Sequence, residues 1–174
     1  MKNQSSLSTD SYLTEINELV YDKCGFDISQ ISFGGESKEY AACTFLLNGR
    51  LVIYRVSKIT PTKLGQFVTI WQRDNHGIIQ PFNVKDDISF IVVTTKYGDD
   101  FGQFVFPKKV LIEKGILSQN DKKGKLAIRV YPPWDKVSNS QAVKTQLWQN
   151  KYFLHIGKNG HVDIQRARLL YFGL

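Results

Sequence analysis

Apolar residues change period several times along this 174-residue chain, and each change marks an element. Leu13, Ile16, Leu19 and Val20 recur at the three-to-four spacing of a helix face, which predicts a helix from Asp10 or Ser11 to about Lys23. Glu15 and Glu18 fall on its wet side, and Gly25 supplies the left-handed stop. The apolar runs Tyr40–Leu47 and Arg50–Val56 flank Asn48-Gly49, a pair suited to the positive φ angles of a two-residue turn. Residues 40–56 therefore read as a β-hairpin, with Leu47 facing Arg50, Phe45 facing Val52 and Cys43 facing Tyr54. Continuing that register sets Glu39 opposite Lys58.

Beyond the hairpin, Thr60 can cap a helix whose first position is Pro61, and Phe67, Ile70 and Trp71 then fall on one apolar face up to about Arg73. Asp74-Asn75-His76-Gly77 breaks it, with His76 as a turn residue. Ile88–Thr95 reads as a buried strand, Gly98–Gly102 as a turn and Gln103–Phe106 as the returning strand of a second hairpin. Pro107 starts a short helix, Lys108 to Lys114, which Gly115 stops. Leu126–Tyr131 alternates like a strand and ends at Pro132-Pro133. Ser138 or Ser140 caps a helix to Gln149, with Ala142 or Val143 and Leu147 turned inward. Tyr152–Ile156 fits strand or helix, and Val162–Tyr171 fits a last helix. Residues 1–9 read as a flexible start. The expected fold is one α+β domain over residues 1–174: a single twisted sheet of two hairpins plus a further strand, flanked by helices.

Composition adds limits. A hydrophobic content of 42% with 13% aromatics can fill a core. No apolar run approaches the roughly 18 residues of a membrane helix, and the polar N-terminus lacks the apolar segment of a secretory signal. Cys24 and Cys43 sit among apolar or small residues, as reduced packed thiols of a cytoplasmic protein do. The formal net charge of +7 is uneven: residues 1–100 carry 10 Lys/Arg against 12 Asp/Glu, and residues 101–174 carry 13 against 4. Such an imbalance suits either a nucleic-acid backbone or a solubilising Lys-rich surface.

The expected junction of strand and helix after Val56 is suited to hold phosphate, because a helix N-terminus offers unpaired N–H groups. Arg55, Lys58, Lys63 and Arg73 are its candidate contacts, with Lys108 and Arg129 from the second half. Trp134, after two prolines, would lie at the groove edge and stack on a base, and Glu39 would orient Lys58. A Mg²⁺-dependent phosphodiesterase is the alternative, with Glu36, Glu39 and Asp87 as metal ligands and Glu39, Asp87 and Lys58 in catalysis. Each hairpin supplies only part of that pattern. Val56 stands where an acid is needed before Lys58, and Gln103 with Lys108 forms no acid-x-lysine triplet. A protein- or ligand-interaction module is the third reading. Cysteine and histidine spacings suggest no zinc site.

Lys58-Ile-Thr-Pro-Thr-Lys-Leu-Gly-Gln-Phe-Val-Thr-Ile-Trp71, Gly102-Gln-Phe-Val-Phe-Pro-Lys108, Gly115-Ile116 and Arg129-Val-Tyr-Pro-Pro-Trp134 together resemble the MepB family. Glu36-Ser-x-Glu-Tyr40 and Thr145-Gln-x-Trp-Gln149 extend the resemblance, which spans roughly residues 12–155. It implies a small bacterial cytoplasmic protein, in some cases encoded beside a MarR-type repressor and a multidrug efflux pump. It also implies a restriction-endonuclease-like fold that binds nucleic acid, DNA being favoured, without an intact cleavage site. No cofactor is implied unless the protein cuts, when Mg²⁺ would be needed.

Overall fold

A computed structural model describes residues 9–173, so the expected flexible start lies outside the described residues except for Thr9, which opens the first helix. That helix runs as α1 (Thr9–Ile16), a π-helical turn (Asn17–Tyr21) and α2 (Asp22–Cys24), and ends at Gly25 with φ 72°. Strands β1 (Ile28–Phe33), β2 (Cys43–Leu47) and β3 (Arg50–Val56) follow. Asn48 and Gly49 turn with φ 47° and 75°, and the expected register holds: Leu47 pairs with Arg50, Phe45 with Val52 and Cys43 with Tyr54.

The expected helix from Pro61 to Arg73 is not formed. In its place stand β4 (Lys58–Thr60), β5 (Lys63–Thr69) and β6 (Trp71–Arg73), the last paired with β7 (Ile79–Pro81). The local reason is period two. Gln66, Val68 and Ile70 are buried, while Phe67, Thr69 and Trp71 between them are half-exposed. Val68, Thr69 and Ile70 are β-branched and favour a pleated strand, and Gly65, at φ 77°, would weaken a helix interior.

The second hairpin is β8 (Phe90–Tyr97) and β9 (Asp100–Pro107), followed by α3 (Lys108–Glu113). Then come β10 (Ala127–Val130), α4 (Ser140–Gln149), β11 (Phe153–His155) and α5 (Ile164–Phe172). The ambiguous segment 152–156 thus resolves mainly as a strand, paired with β9. Asn139, rather than a serine, caps α4 by accepting from the Ala142 N–H. Leu147 is 66% exposed, and Gln149 takes the inward place expected of it.

Among the described residues the strands make three sheets: β1-β2-β3-β8-β9-β11, β10-β5-β4 and β6-β7. The α+β class holds and both hairpins share the large sheet, joined by parallel pairing of β3 with β8. The single-sheet expectation fails, because the strand around residues 127–130 pairs with β5 instead of extending the large sheet. Successive residues of β3, β8 and β9 enter two different cores. Val52, Tyr54, Val92 and Val105 pack with α1, α2 and α5, whereas Ile53, Ile91, Val93, Phe104 and Phe106 pack with α3 and with Val68, Ile70 and Val130. No helix is long and apolar enough to cross a membrane among the described residues.

A hydrogen-bonded chain of side chains crosses the first core. The Tyr21 and Tyr171 hydroxyls meet at 3.0 Å, and Tyr171 donates to Gln103 Oε1 at 3.1 Å. Gln103 Nε2 donates to Thr94 Oγ1 at 3.2 Å, which also meets the Tyr54 hydroxyl at 2.8 Å. Tyr171→Phe removes the bridging hydroxyl and leaves buried groups unpaired. It should cost about 1–3 kcal/mol, read from denaturant unfolding.

Cys24 and Cys43 are free and buried, as the sequence suggests. Burial pushes the Cys43 thiol from its ordinary 9.0 up to about 12. This folded-state value lies above the unfolded one, so the thiol's contribution is full below about pH 9. It is lost as pH rises from there toward 12. Iodoacetamide at mildly alkaline pH should therefore spare both thiols in the native protein and alkylate both in denaturant, as counted by intact mass.

Candidate functional site

The small sheet turns one face to the core and the other to solvent. Lys58 pairs with Phe67, and Phe67 pairs with Arg129, so the three side chains form one row across β4, β5 and β10. Neighbouring positions Val68, Ile128 and Val130 point the other way, into the second core. Tyr40 joins the row from the preceding loop. Its ring meets Phe67 edge to face at 6.2 Å, and Lys58 Nζ lies 5.0 Å from its centroid. The Arg129 guanidinium lies 6.0 Å from the Phe67 ring, and its Nη1 donates to Thr60 Oγ1 at 3.0 Å, Leu64 O at 3.2 Å and Gly65 O at 3.1 Å. A Cβ on Gly65 would stand 2.7 Å from the Tyr131 ring, so this closeness requires glycine. Lys58 and Lys63 are exposed, as are Ile59 and Leu64 of the same hairpin.

Beside this face lies a cleft of about 600 Å³. Its floor is formed by Ser32, Thr44, Leu51, Ile53 and Arg55 of β1 to β3. Trp71, Arg73, Phe82, Asp86, Asp87 and the 34–37 loop form the walls. Arg55 is 7% exposed. Its Nη1 donates to Tyr54 O at 2.8 Å, and its Nε has no partner. Burial lowers its pKa to about 10, so it stays cationic at neutral pH. At the rim, Arg73 Nε donates to both Glu36 oxygens at 2.8 and 2.7 Å, and its Nη2 lies 2.7 Å from Oε1. Those bonds hold the Glu36 carboxyl below the usual range. Arg73 also lies over the Trp71 ring, 5.5 Å from its centroid. Asp86 Oδ2 accepts from Gln72 Nε2 and from the Asn83 N–H, each at 2.7 Å. Thr69 Oγ1, on the solvent face, donates to Ser37 Oγ of the cleft at 3.5 Å.

The structure therefore splits the expected cation cluster. Lys58, Lys63 and Arg129 belong to the small-sheet hairpin and its outer face, while Arg55 and Arg73 belong to the cleft. Lys108 Nζ is held by Asp86 O at 2.6 Å. Trp134 is not a free groove-edge ring: it is half-buried against the second core, edge-on to Phe153 at 5.7 Å. Glu39 does not face Lys58, because β2 begins only at Cys43. Residues 38–40 coil in a 3₁₀ turn between Ser37 and Ala41, both at positive φ, and Tyr40 meets Lys58 instead. Glu36 and Asp87 share the cleft, which Glu39 and Lys58 do not line. Among the described residues no three His, Cys, Asp or Glu side chains gather as a metal site requires. The sequence pattern singles out neither Tyr40 nor the solvent-facing position of Phe67. The two-residue alternation from Gln66 to Ile70 was the signal that could have revealed Phe67.

Comparison with known proteins agrees with these motifs. A family model described as MepB-like matches residues 34–155. A crystal structure of MepB superposes with a TM-score of 0.71 at 37% identity, covering 74% of this chain and 86% of that one. A search of curated proteins gives no match. Coverage and identity together establish that the chain belongs to the MepB-like family.

Proposed function

We propose that the chain binds single-stranded nucleic acid, DNA foremost, across the solvent face of β4, β5 and β10. The observation that carries this reading is the cross-strand row Lys58–Phe67–Arg129 with Tyr40 against it. Aromatic rings next to cations suit unstacked bases and the phosphates between them, a pairing that a duplex would not reward. Lys63 and the exposed Leu64 extend the surface at the hairpin tip. The chain's +7 charge supports capture of a polyanion.

In the same reading the domain is restriction-endonuclease-like and binds without cutting. Glu36 is taken up by Arg73 and Asp86 by Gln72 and Asn83, and Lys58 stands outside the cleft that holds Asp87. Plasmid incubated with Mg²⁺ or Mn²⁺ should therefore stay intact on an agarose gel. Nicking that is abolished by Asp87→Asn would instead establish the phosphodiesterase reading.

The binding surface is tested with a labelled oligonucleotide by fluorescence polarisation over a salt series. Lys58→Ala combined with Lys63→Ala should weaken binding and make log K against log salt shallower by about 1.4, two single-strand phosphates' worth. Tyr40→Ala should cost about 1–3 kcal/mol, the value of one stacked base, with little change in that slope. Unaltered affinity and slope in the double variant would remove this surface from consideration.

A further inference from the structure

We propose that the cleft beside the solvent face seats a nucleotide's phosphate monoester, with the Arg55 guanidinium as its counter-charge. The inference deepens the nucleic-acid reading where the ester is a strand's 5′ end, and stands apart from it where the ester is a free mononucleotide.

Arg55 is the anchor of the argument. Buried guanidinium groups are ordinarily paired with an acid or saturated with carbonyls. Even the more exposed Arg73 and Arg129 are satisfied, through Glu36 and through three oxygen acceptors respectively. Arg55 does not. It is 7% exposed and makes one hydrogen bond, to its neighbour's carbonyl, while its Nε is buried without a partner. None of the ion pairs among the described residues includes it. A cation held this way on the floor of an open cleft lacks an anion, and the cleft is where one can enter.

The surroundings narrow the anion. About 600 Å³ is the volume of a small-molecule site, larger than a bare ion needs. Leu51, Ile53, Trp71, Phe82 and Ile88 give it apolar walls for a flat ring. Asp86 and Asp87 line the same cleft, so a continuous phosphate track is disfavoured there while amino groups are favoured. A nucleotide offers both parts: one anionic group for Arg55 and exocyclic amines for the acidic wall. Ser37, hydrogen-bonded to Thr69 of the solvent face, places the cleft at the edge of the proposed strand path.

The test compares 3′-labelled oligodeoxyadenylate carrying a 5′-phosphate with the same oligomer carrying a 5′-hydroxyl, and adds adenosine monophosphate by calorimetry. Wild-type protein should prefer the 5′-phosphate by about tenfold, the scale of a charge-assisted hydrogen bond. Arg55→Met, which removes the charge, and Ser32→Trp, which fills the cleft from the exposed edge strand, should each abolish that preference. If neither oligomer binds but adenosine monophosphate binds wild type and neither variant, the cleft site stands with a free nucleotide as its source, and the strand-binding reading falls. Equal binding of both oligomers with no binding of adenosine monophosphate overturns the cleft inference and leaves strand binding intact. A preference that survives in both variants overturns it as well, and absence of all binding removes both readings.

Discussion

The large sheet is apolar on both faces along β3, β8 and β9, and must therefore be covered twice. Helices α1, α2 and α5 cover the first face, with the tyrosine and glutamine hydroxyl-amide chain pinned between them and the sheet. The second face is covered by α3 and by a three-stranded sheet too narrow to reach β1 and β2. Both candidate surfaces follow from that mismatch. The small sheet buries Val68 and Val130, so its alternate positions, Phe67 and Arg129, must face solvent. Beyond its edge, Ser32 and Thr44 of β1 and β2 form the floor of the cleft together with Ile53 and Arg55 of β3.

Local signals made the first hairpin legible. Asn48-Gly49 fixes the turn, and the turn fixes every pair from Leu47–Arg50 to Cys43–Tyr54. Gly25 stops its helix for an equally local reason. Segment 61–73 misled because Thr60-Pro61 is a fair helix start and Phe67, Ile70 and Trp71 match a helical spacing. Yet Val68 is fully buried between half-exposed neighbours, and only pairing with β10, where Ile128 lies opposite it from about sixty residues further along the chain, shows why. Trp134 was misplaced for a similar reason. Two prolines stop a strand, but whether the next ring meets solvent depends on Phe153, which arrives later in the chain.

Charge was the least legible property, because a sequence counts cations without saying what they touch. The basic half holds 13 Lys/Arg against 4 Asp/Glu, yet several of those cations are tied to groups of the chain itself. Arg166 Nε donates to Phe153 O at 2.8 Å and its Nη2 to Lys151 O at 3.2 Å, Arg168 Nη2 donates to Cys24 O at 3.3 Å, and Lys108 holds Asp86 O. These side chains satisfy carbonyls at the ends of elements, where the backbone lacks donors of its own. Lys158 is drawn to Asp99 at 2.7 Å. Lys58 and Lys63 lie in the half with a slight acidic excess, but they stand on an open hairpin with no carboxylate partner among the ion pairs of the described residues.

The same distinction separates the two arginines of the cleft. Arg73 is exposed and its charge is met by Glu36, so it can rearrange at little cost, as exposed pairs generally can. Arg55 is buried in a strand of the large sheet, and its side chain cannot leave without disturbing β3 and its neighbours. An apolar residue of similar length would pack there without carrying a desolvated charge. A guanidinium at that position carries a desolvation cost that its one hydrogen bond, to Tyr54 O, offsets only in part, and the side of it that lines the cleft is the side an anion can reach.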